Sequence, residues 1–292
     1  MVSPALRLLL PLAAAALLTA LSACQAGVRG GRYTVHDTAG ARRIELAEMV
    51  DRLADHDVVF LGEEHDNDVG HRLQLWTTRM LHARRHDLVL SLEQFEADVQ
   101  ESLDLYLAGT IDEETFLASA RPWGNYDEHY RPAVEWAKKR GLPVLAANIP
   151  RPLARTVSRR GYDDVAGERF APWGLHVDEA AYRELFAQAM GGHGALEDAQ
   201  LDLWFAAQCV KDDMMAESIA CALERAAPAR PLVVHWCGKF HSDRGLGTVS
   251  RLLRRRPGLK VAVVSMSSGR ISRPLDADEL AAGDFLWRVP AQ

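Results

Sequence analysis

Four short, apolar runs in this chain each end in a carboxylate, a histidine or an amide, and that pattern narrows the folds open to it. Val58-Val59-Phe60-Leu61 leads into Gly62-Glu63-Glu64-His65, and Leu88-Val89-Leu90-Ser91-Leu92 leads into Glu93. Val144-Leu145-Ala146-Ala147 leads into Asn148. Leu232-Val233-Val234 leads into His235 and then Gly238-Lys239-Phe240-His241. Runs of this length without alternation suit strands buried on both faces, as in a parallel sheet. Their C-terminal ends would then lie along one sheet edge, where open α/β sheets bind ligands.

The segments between the runs read as helices, which gives the βαβ alternation of an α/β protein. The expectation is a mainly parallel central sheet flanked by helices. Ile44 to Ala54 fits a short helix, and Asp66 or Asn67 can cap the next, which carries Leu73, Trp76, Met80 and Leu81 on one face. Phe95 to Leu107 reads as a helix, with Gln94 and Glu96 facing solvent. Ile111 to Ala120 and His129 to Arg140 follow as helices, the latter with Pro132 in its first turn. From Pro152 to about Gly194 no strand is evident, and Gly191-Gly192-His193-Gly194 makes a loop, so about 152–200 reads as a small helical insertion. Leu196 to Ala226 is a long helix, Gly245 to Arg255 contains another, and Lys260–Ser265 is a fifth strand. From Leu275 the chain reads as a loosely packed tail.

The first residues read as an export signal. Arg7 is followed by the apolar, alanine-rich stretch Leu8 to Leu21 and then by Ser22-Ala23-Cys24, the order of a secretory signal peptide over 1–23. Cys24 behind that small pair resembles a bacterial lipobox, which implies cleavage before Cys24 and diacylglycerol on its sulfur. Residues 24–43 then form a lipid-anchored tether and lead-in, with 44–292 the folded domain. The expected location is the bacterial cell envelope, at the outer membrane or cell surface. The whole chain has 34 basic and 40 acidic side chains, and Arg7 is the only charge before Cys24, so the remainder carries a formal −7. That balance argues against nucleic-acid binding. Cys209, Cys221 and Cys237 form no CxxC zinc pattern and read as small buried hydrophobes.

Two loops carry the same spacing, a glycine and, three residues on, a histidine: Gly62 to His65 and Gly238 to His241. One instance is weak, but two at strand ends suggest a cleft with metal or acid–base chemistry. His65, Glu93 and His241 are the candidate metal ligands; Glu63 or Glu64 would be the general base if the site were hydrolytic. Solvated loops and a helix-capping Glu93 are the plainer alternatives. His71 falls in the first turns of a helix, where the dipole favours a neutral ring. Trp123, Tyr126, His129 and Tyr130 form an aromatic group that either supplies a haem ligand or packs beneath a loop. Gln208 and Asp212, at helical spacing, are placed to brace a ligand. No GxSxG elbow, P-loop or dinucleotide GxGxxG is present.

Taken in order, several segments resemble the ChaN-like haem-binding lipoproteins, within a superfamily that includes TIKI, TraB and erythromycin-esterase-like proteins. They are Gly62-Glu63-Glu64-His65 with His71, Leu92-Glu93-Gln94-Phe95 and Tyr130-Arg131-Pro132. Ala146-Ala147-Asn148-Ile149-Pro150-Arg151 follows, then Ala207-Gln208, Lys211-Asp212 and Met215-Ala216. The resemblance runs from about residue 45 to 255. It implies a haem cofactor, with His65, His71, Tyr130 and Tyr126 as binding candidates, and a homodimer. In TIKI-like relatives it implies a divalent metal ion and peptide cleavage, with His65, Glu93 and His241 at the matching positions. One departure is Phe240, where the family usually has glycine before the late histidine. Three readings follow: a membrane-tethered haem-uptake protein, a metal-dependent hydrolase, and a binding module whose polar residues only bond one another.

Overall fold

The computed structural model describes residues 33–191 and 197–291. The signal segment, Cys24, residues 25–32 and all but the first residue of the Gly191–Gly194 loop lie outside the described residues. The sheet has eight strands. They are β1 (Thr34–Asp37), β2 (Arg42–Ile44), β3 (Val58–Glu63), β4 (Leu88–Glu96), β5 (Val144–Asn148), β6 (Leu232–Gly238), β7 (Val261–Ser268) and β8 (Phe285–Val289). Their order across the sheet is β2-β1-β8-β7-β3-β6-β4-β5. From β8 to β5 every pairing is parallel, and the β1–β2 hairpin adds an antiparallel edge on β8.

Strand period separates two cores. Val59 and Leu61 of β3, with Leu90 and Leu92 of β4 and Val234 and Trp236 of β6, face one side. There they meet α1 (Leu46–Leu53), α2 (Asp68–Arg84), α3 (Gln100–Leu107), α4 (Glu113–Ala120) and α5 (Arg131–Arg140). Val58, Phe60, Val233 and Cys237 face the other side. Between β5 and β6 run α6 (Arg151–Arg160), α7 (Ala180–Met190) and the long α8 (Asp198–Ala226). Met215 and Ile219 of α8, with Leu252 of α9 (Thr248–Arg255), cover that second face. Fully burying one such side chain contributes about 1.5–3 kcal/mol. A third cluster joins α6 to α8 through Val157, Val210 and Met214.

Local chemistry sets the boundaries. Asn67 caps α2 by accepting from the Gly70 amide at 2.9 Å. A single π-turn, Tyr126–Tyr130, precedes α5, which carries Pro132 in its first turn and stops at Gly141 in the left-handed region.

Three expectations are corrected. β4 runs through Phe95 to Glu96, and the helix expected from Phe95 starts only at Gln100, after a 3-10 turn. The segment after Leu275 is no loose tail: it forms α10 (Ala277–Ala281), with a full capping box, and the wholly buried β8. Two strands, β1 and β2, precede Val58, where the sequence suggested none.

Candidate functional site

The central pair β3–β6 sets the site. The two strands run parallel, with Gly62 opposite Cys237 and Glu63 opposite Gly238. The chain leaves β3 for α2 on one face and leaves β6 for α9 on the other. The two loops therefore part and open a crevice at the C-terminal edge of the sheet, the switch point of a doubly wound fold. Glu93 enters from β4 and Asn148 from β5.

Glu63 is buried beneath the crevice and fully bonded. Its Oε1 accepts from the Tyr130 hydroxyl at 2.6 Å, from His65 Nδ1 at 2.9 Å and from Gln94 Nε2 at 3.1 Å. Its Oε2 accepts from Gln74 Nε2 at 2.8 Å. Glu63 thus fixes the His65 tautomer with the proton on Nδ1. His65 Nε2 makes no hydrogen bond among the described residues. Burial works against the charged His65 ring, but the Glu63 hydrogen bond and the Glu93 charge outweigh it and raise its pKa. The ring is half-exposed and stands edge-on to Trp123, 4.9 Å between centroids.

His241 lies in a different setting. Its Nδ1 donates to Asp212 Oδ1 at 2.7 Å, and its Nε2 is 3.4 Å from Glu93 Oε1. Asp212 also accepts from the Tyr182 hydroxyl at 2.9 Å and the Thr248 hydroxyl at 2.8 Å. Burial disfavours the charged ring, yet the Glu93 and Asp212 carboxylates raise its pKa to about 10. Burial would likewise raise the Glu93 carboxyl, but the His241 charge and hydrogen bond bring it to about 2. Glu93 also accepts from the Gly238 amide at 2.7 Å.

Gly238 has ordinary extended geometry, φ −54° and ψ 133°. What its position demands is space. A Cβ there would sit 2.8 Å from His65 Cε1, 3.0 Å from Nε2 and 3.7 Å from Glu93 Oε2. Gly62 is equally tight, with Lys239 Cα 3.0 Å from where a Cβ would be.

His65, Glu93 and His241 share a cavity of about 580 Å³. Trp123, Ile149, Phe186 and Phe240 supply apolar wall, and Arg151, Lys211 and Glu96 supply charge. This volume lies within the range of small-molecule sites, about 300–1,000 Å³.

The other expected residues fall outside the cavity wall. Glu64 pairs with Lys239 Nζ at 2.6 Å, on the side of the loop towards β7. His71 binds the His65 carbonyl at 2.9 Å through Nε2 and stacks on His129. Tyr130 is fully buried behind Glu63, and Tyr126 is buried against Phe95. Burial first, then the Glu63 charge, drives the Tyr130 hydroxyl far above its ordinary value, which opposes the tyrosinate an iron ligand requires. As placed, the cavity is lined by histidine and not by these tyrosines.

Gln94 and Glu96, expected in solvent, are buried. Gln94 bonds Glu63, while Glu96 accepts from Arg121 at 2.8 Å and pairs with Arg151 at 3.0 Å. Strand alternation carries the signal for Gln94: once β4 continues past Leu92, Gln94 shares its face with Leu92 and Leu90. Tyr182 and Thr248 had no comparable signal, since only the tertiary fold brings them to Asp212.

A divalent-metal centre does not fit these residues as they stand. Among the described residues no group of three His, Cys, Asp or Glu side chains is placed to hold a metal ion.

These features define a doubly wound α/β protein with its polar chemistry at the switch point. The chain belongs to the family described as haem-binding uptake, Tiki superfamily, ChaN, whose sequence profile matches residues 49–252. It shares its fold with the structure described as cofacial heme binding to ChaN of Campylobacter jejuni, with a TM-score of 0.70 and 19% identity over 89% of this chain and 97% of that one. It is 25% identical over 269 residues to the chloroplastic Protein RETICULATA-RELATED 5 of Arabidopsis thaliana, covering 83% of this chain and only 35% of that protein. An erythromycin esterase in its open conformation is similar at a TM-score of 0.47 and 12% identity, over 81% of this chain and 77% of that one. A likeness that distant carries no argument about function.

Proposed function

We propose that this protein binds haem in the switch-point cavity and serves in haem uptake or handling, tethered to an envelope membrane through lipid on Cys24. The observation that carries the reading is His65: a half-exposed imidazole on an aromatic-walled cavity, its Nδ1 fixed by a buried carboxylate. Membership of a haem-binding family supports it. A carboxylate behind a ligand histidine orients the ring and raises its basicity. The missing side chain at Gly238 fits the same role, because any Cβ there would crowd the ring edge that carries Nε2.

In this reading His65 would be the axial ligand, and Tyr130, Gln94 and Gln74 position Glu63 behind it. Trp123, Phe186 and Phe240 would exclude water from the macrocycle. Arg151 and Lys211 would meet its carboxylates. Bound haem supplies an iron whose properties follow from its axial ligand and surroundings. Two copies facing each other belong to the proposal, supported by the cofacial haem of the Campylobacter protein's description. The membrane tether is assigned to lipid because Ser22-Ala23-Cys24 resembles a lipobox and Leu8 to Leu21 is shorter than the roughly 20 residues a spanning helix needs.

The test is a hemin titration followed by visible absorption, with His65→Ala and Gly238→Ala beside the wild type. The wild type should show a saturable Soret shift. His65→Ala should lose it, and Gly238→Ala should weaken binding by roughly 10–100-fold, as disturbed ligand support does. An unchanged Soret band in His65→Ala removes His65 as the ligand. No saturable shift in the wild type ends the haem reading.

A further inference from the structure

Helix α6 has two working sides. Its inner side packs Ala154 and Val157 against Ile149, Val210 and Met214. Its outer side forms a second groove of about 340 Å³, lined by Arg151, Pro152, Arg155, Thr156, Arg159 and Arg160 and by no acidic residue. Arg151, Arg155 and Arg159 recur every fourth residue and so share one helical face. Glu96 answers Arg151 at 3.0 Å, and Asp164 reaches Arg160 only at 3.7 Å. Arg155 and Arg159 form no ion pair among the described residues.

The chain turns after α6 through Tyr162, and Trp173, 92% exposed, sits on the segment that the Tyr162 hydroxyl holds. Its backbone is fixed. The Trp173 amide donates to Glu217 Oε2 at 2.8 Å, the Gly174 amide donates to the Tyr162 hydroxyl at 3.0 Å, and that hydroxyl donates to the Pro172 carbonyl. Tyr162 opens the turn that directly follows α6. The fold therefore ties the backbone that carries a large exposed aromatic to the turn at the end of the arginine-bearing helix. Asp163 and Glu168 lie in the next turns and do not line the groove.

We propose that this face, α6 with Trp173, docks on an anionic phospholipid bilayer. Guanidinium groups pair with lipid phosphates, and an indole settles at the headgroup level of a bilayer. On the reading that Cys24 carries diacylglycerol, the lipid would hold the chain at the membrane without orienting it, and a basic face would set which side meets the surface. Arg151 and Ala154 belong to α6 and line the main cavity, and Arg151 lines the outer groove as well. Docking would therefore hold the cavity mouth at the membrane surface.

The test uses the full chain with Cys24→Ser, so that no lipid is attached, and vesicles of phosphatidylcholine with or without about 30 mol% phosphatidylglycerol. Neutral vesicles set the baseline that Leu8–Leu21 gives by itself. Binding should rise on the anionic vesicles, with hydrogen-exchange protection over 155–175. Arg155→Ala with Arg159→Ala should weaken the anionic component about 30-fold. Trp173→Ala should weaken it less, and both variants should keep the parent melting temperature. Equal binding to both vesicle types overturns the proposal, as does an unchanged double variant. Protection of 155–175 by inorganic phosphate with no vesicle preference would assign the groove to a free phosphate and also overturn it.

Discussion

The loops Gly62–His65 and Gly238–His241 have the same spacing, leave neighbouring parallel strands and line the same cavity, yet they hold their histidines in opposite ways. His65 has one carboxylate partner, on Nδ1, and a half-exposed ring. His241 is buried between two carboxylates and kept charged. The first is a ring with an edge left over for a ligand. The second is a cation that satisfies Glu93 and Asp212. The difference lies partly inside the motif, where Glu63 stands in the position of Lys239, and partly in the Asp212 and Glu93 that α8 and β4 bring to His241, so the spacing marks a position in the fold and the neighbours assign the work.

The largest expected effect separates the two loops by stability. Asp212→Ala strips His241, Tyr182 and Thr248 of a shared acceptor and leaves a buried charge half-paired. It should cost about 3–5 kcal/mol in urea unfolding. His65→Ala, at a half-exposed ring, should cost less than about 1 kcal/mol. Similar losses for both would erase the contrast.

Next in size is the dependence on pH. The His241 pKa rises from 6.5 to about 10 on folding, so its contribution is complete below its unfolded pKa and is lost as pH climbs through the folded value. The Glu93 pKa falls from 4.5 to about 2, so its contribution is complete above its unfolded pKa and is lost as pH drops through the folded value. Denaturation midpoints should be highest between about pH 4.5 and 6.5 and decline on both sides. A midpoint still rising from pH 7 to 10 would mean that His241 is neutral in the folded protein.

The smallest effect sharpens the assignment on the His65 side. Tyr130→Phe removes one of several donors to Glu63, a loss of about 1 kcal/mol, and should leave the hemin-bound Soret band in place. A displaced band would put the Tyr130 oxygen on the iron and require Glu63 to release it.

Much of this arrangement was legible in the sequence. The central strands could be read because burial on both faces leaves them few polar residues, and Glu93, Asn148 and the two loop histidines that come after them line the cavity. Asp212 and Gln208 could be read as braces from helical spacing alone, and both reach His241. β8 was hidden by Arg288, a charge that reads as surface but is buried against Glu279. The end of β4 was hidden for the same reason, because Gln94 and Glu96 look solvated until Glu63, Arg121 and Arg151 are set beside them. The roles of the tyrosines depend on which carboxylate lies behind the ring, which pairwise spacing does not encode.

The pairing of β1 with β8 has a consequence in time. Thr38 bonds the Asp284 carbonyl across 246 positions of chain, and Thr34 to Asp37 find their outer partners only in Phe285 to Arg288. β1 must therefore wait for β8 before its outer edge is paired. Until then the β1–β2 hairpin has no sheet to join, because a two-stranded hairpin is at best marginal in water. Asn67, which caps the helix beyond the His65 loop, also holds the Pro290 carbonyl at 3.2 Å. The site-bearing loop is latched by Pro290, so the cavity edge is finished only after the chain through β8 has been made.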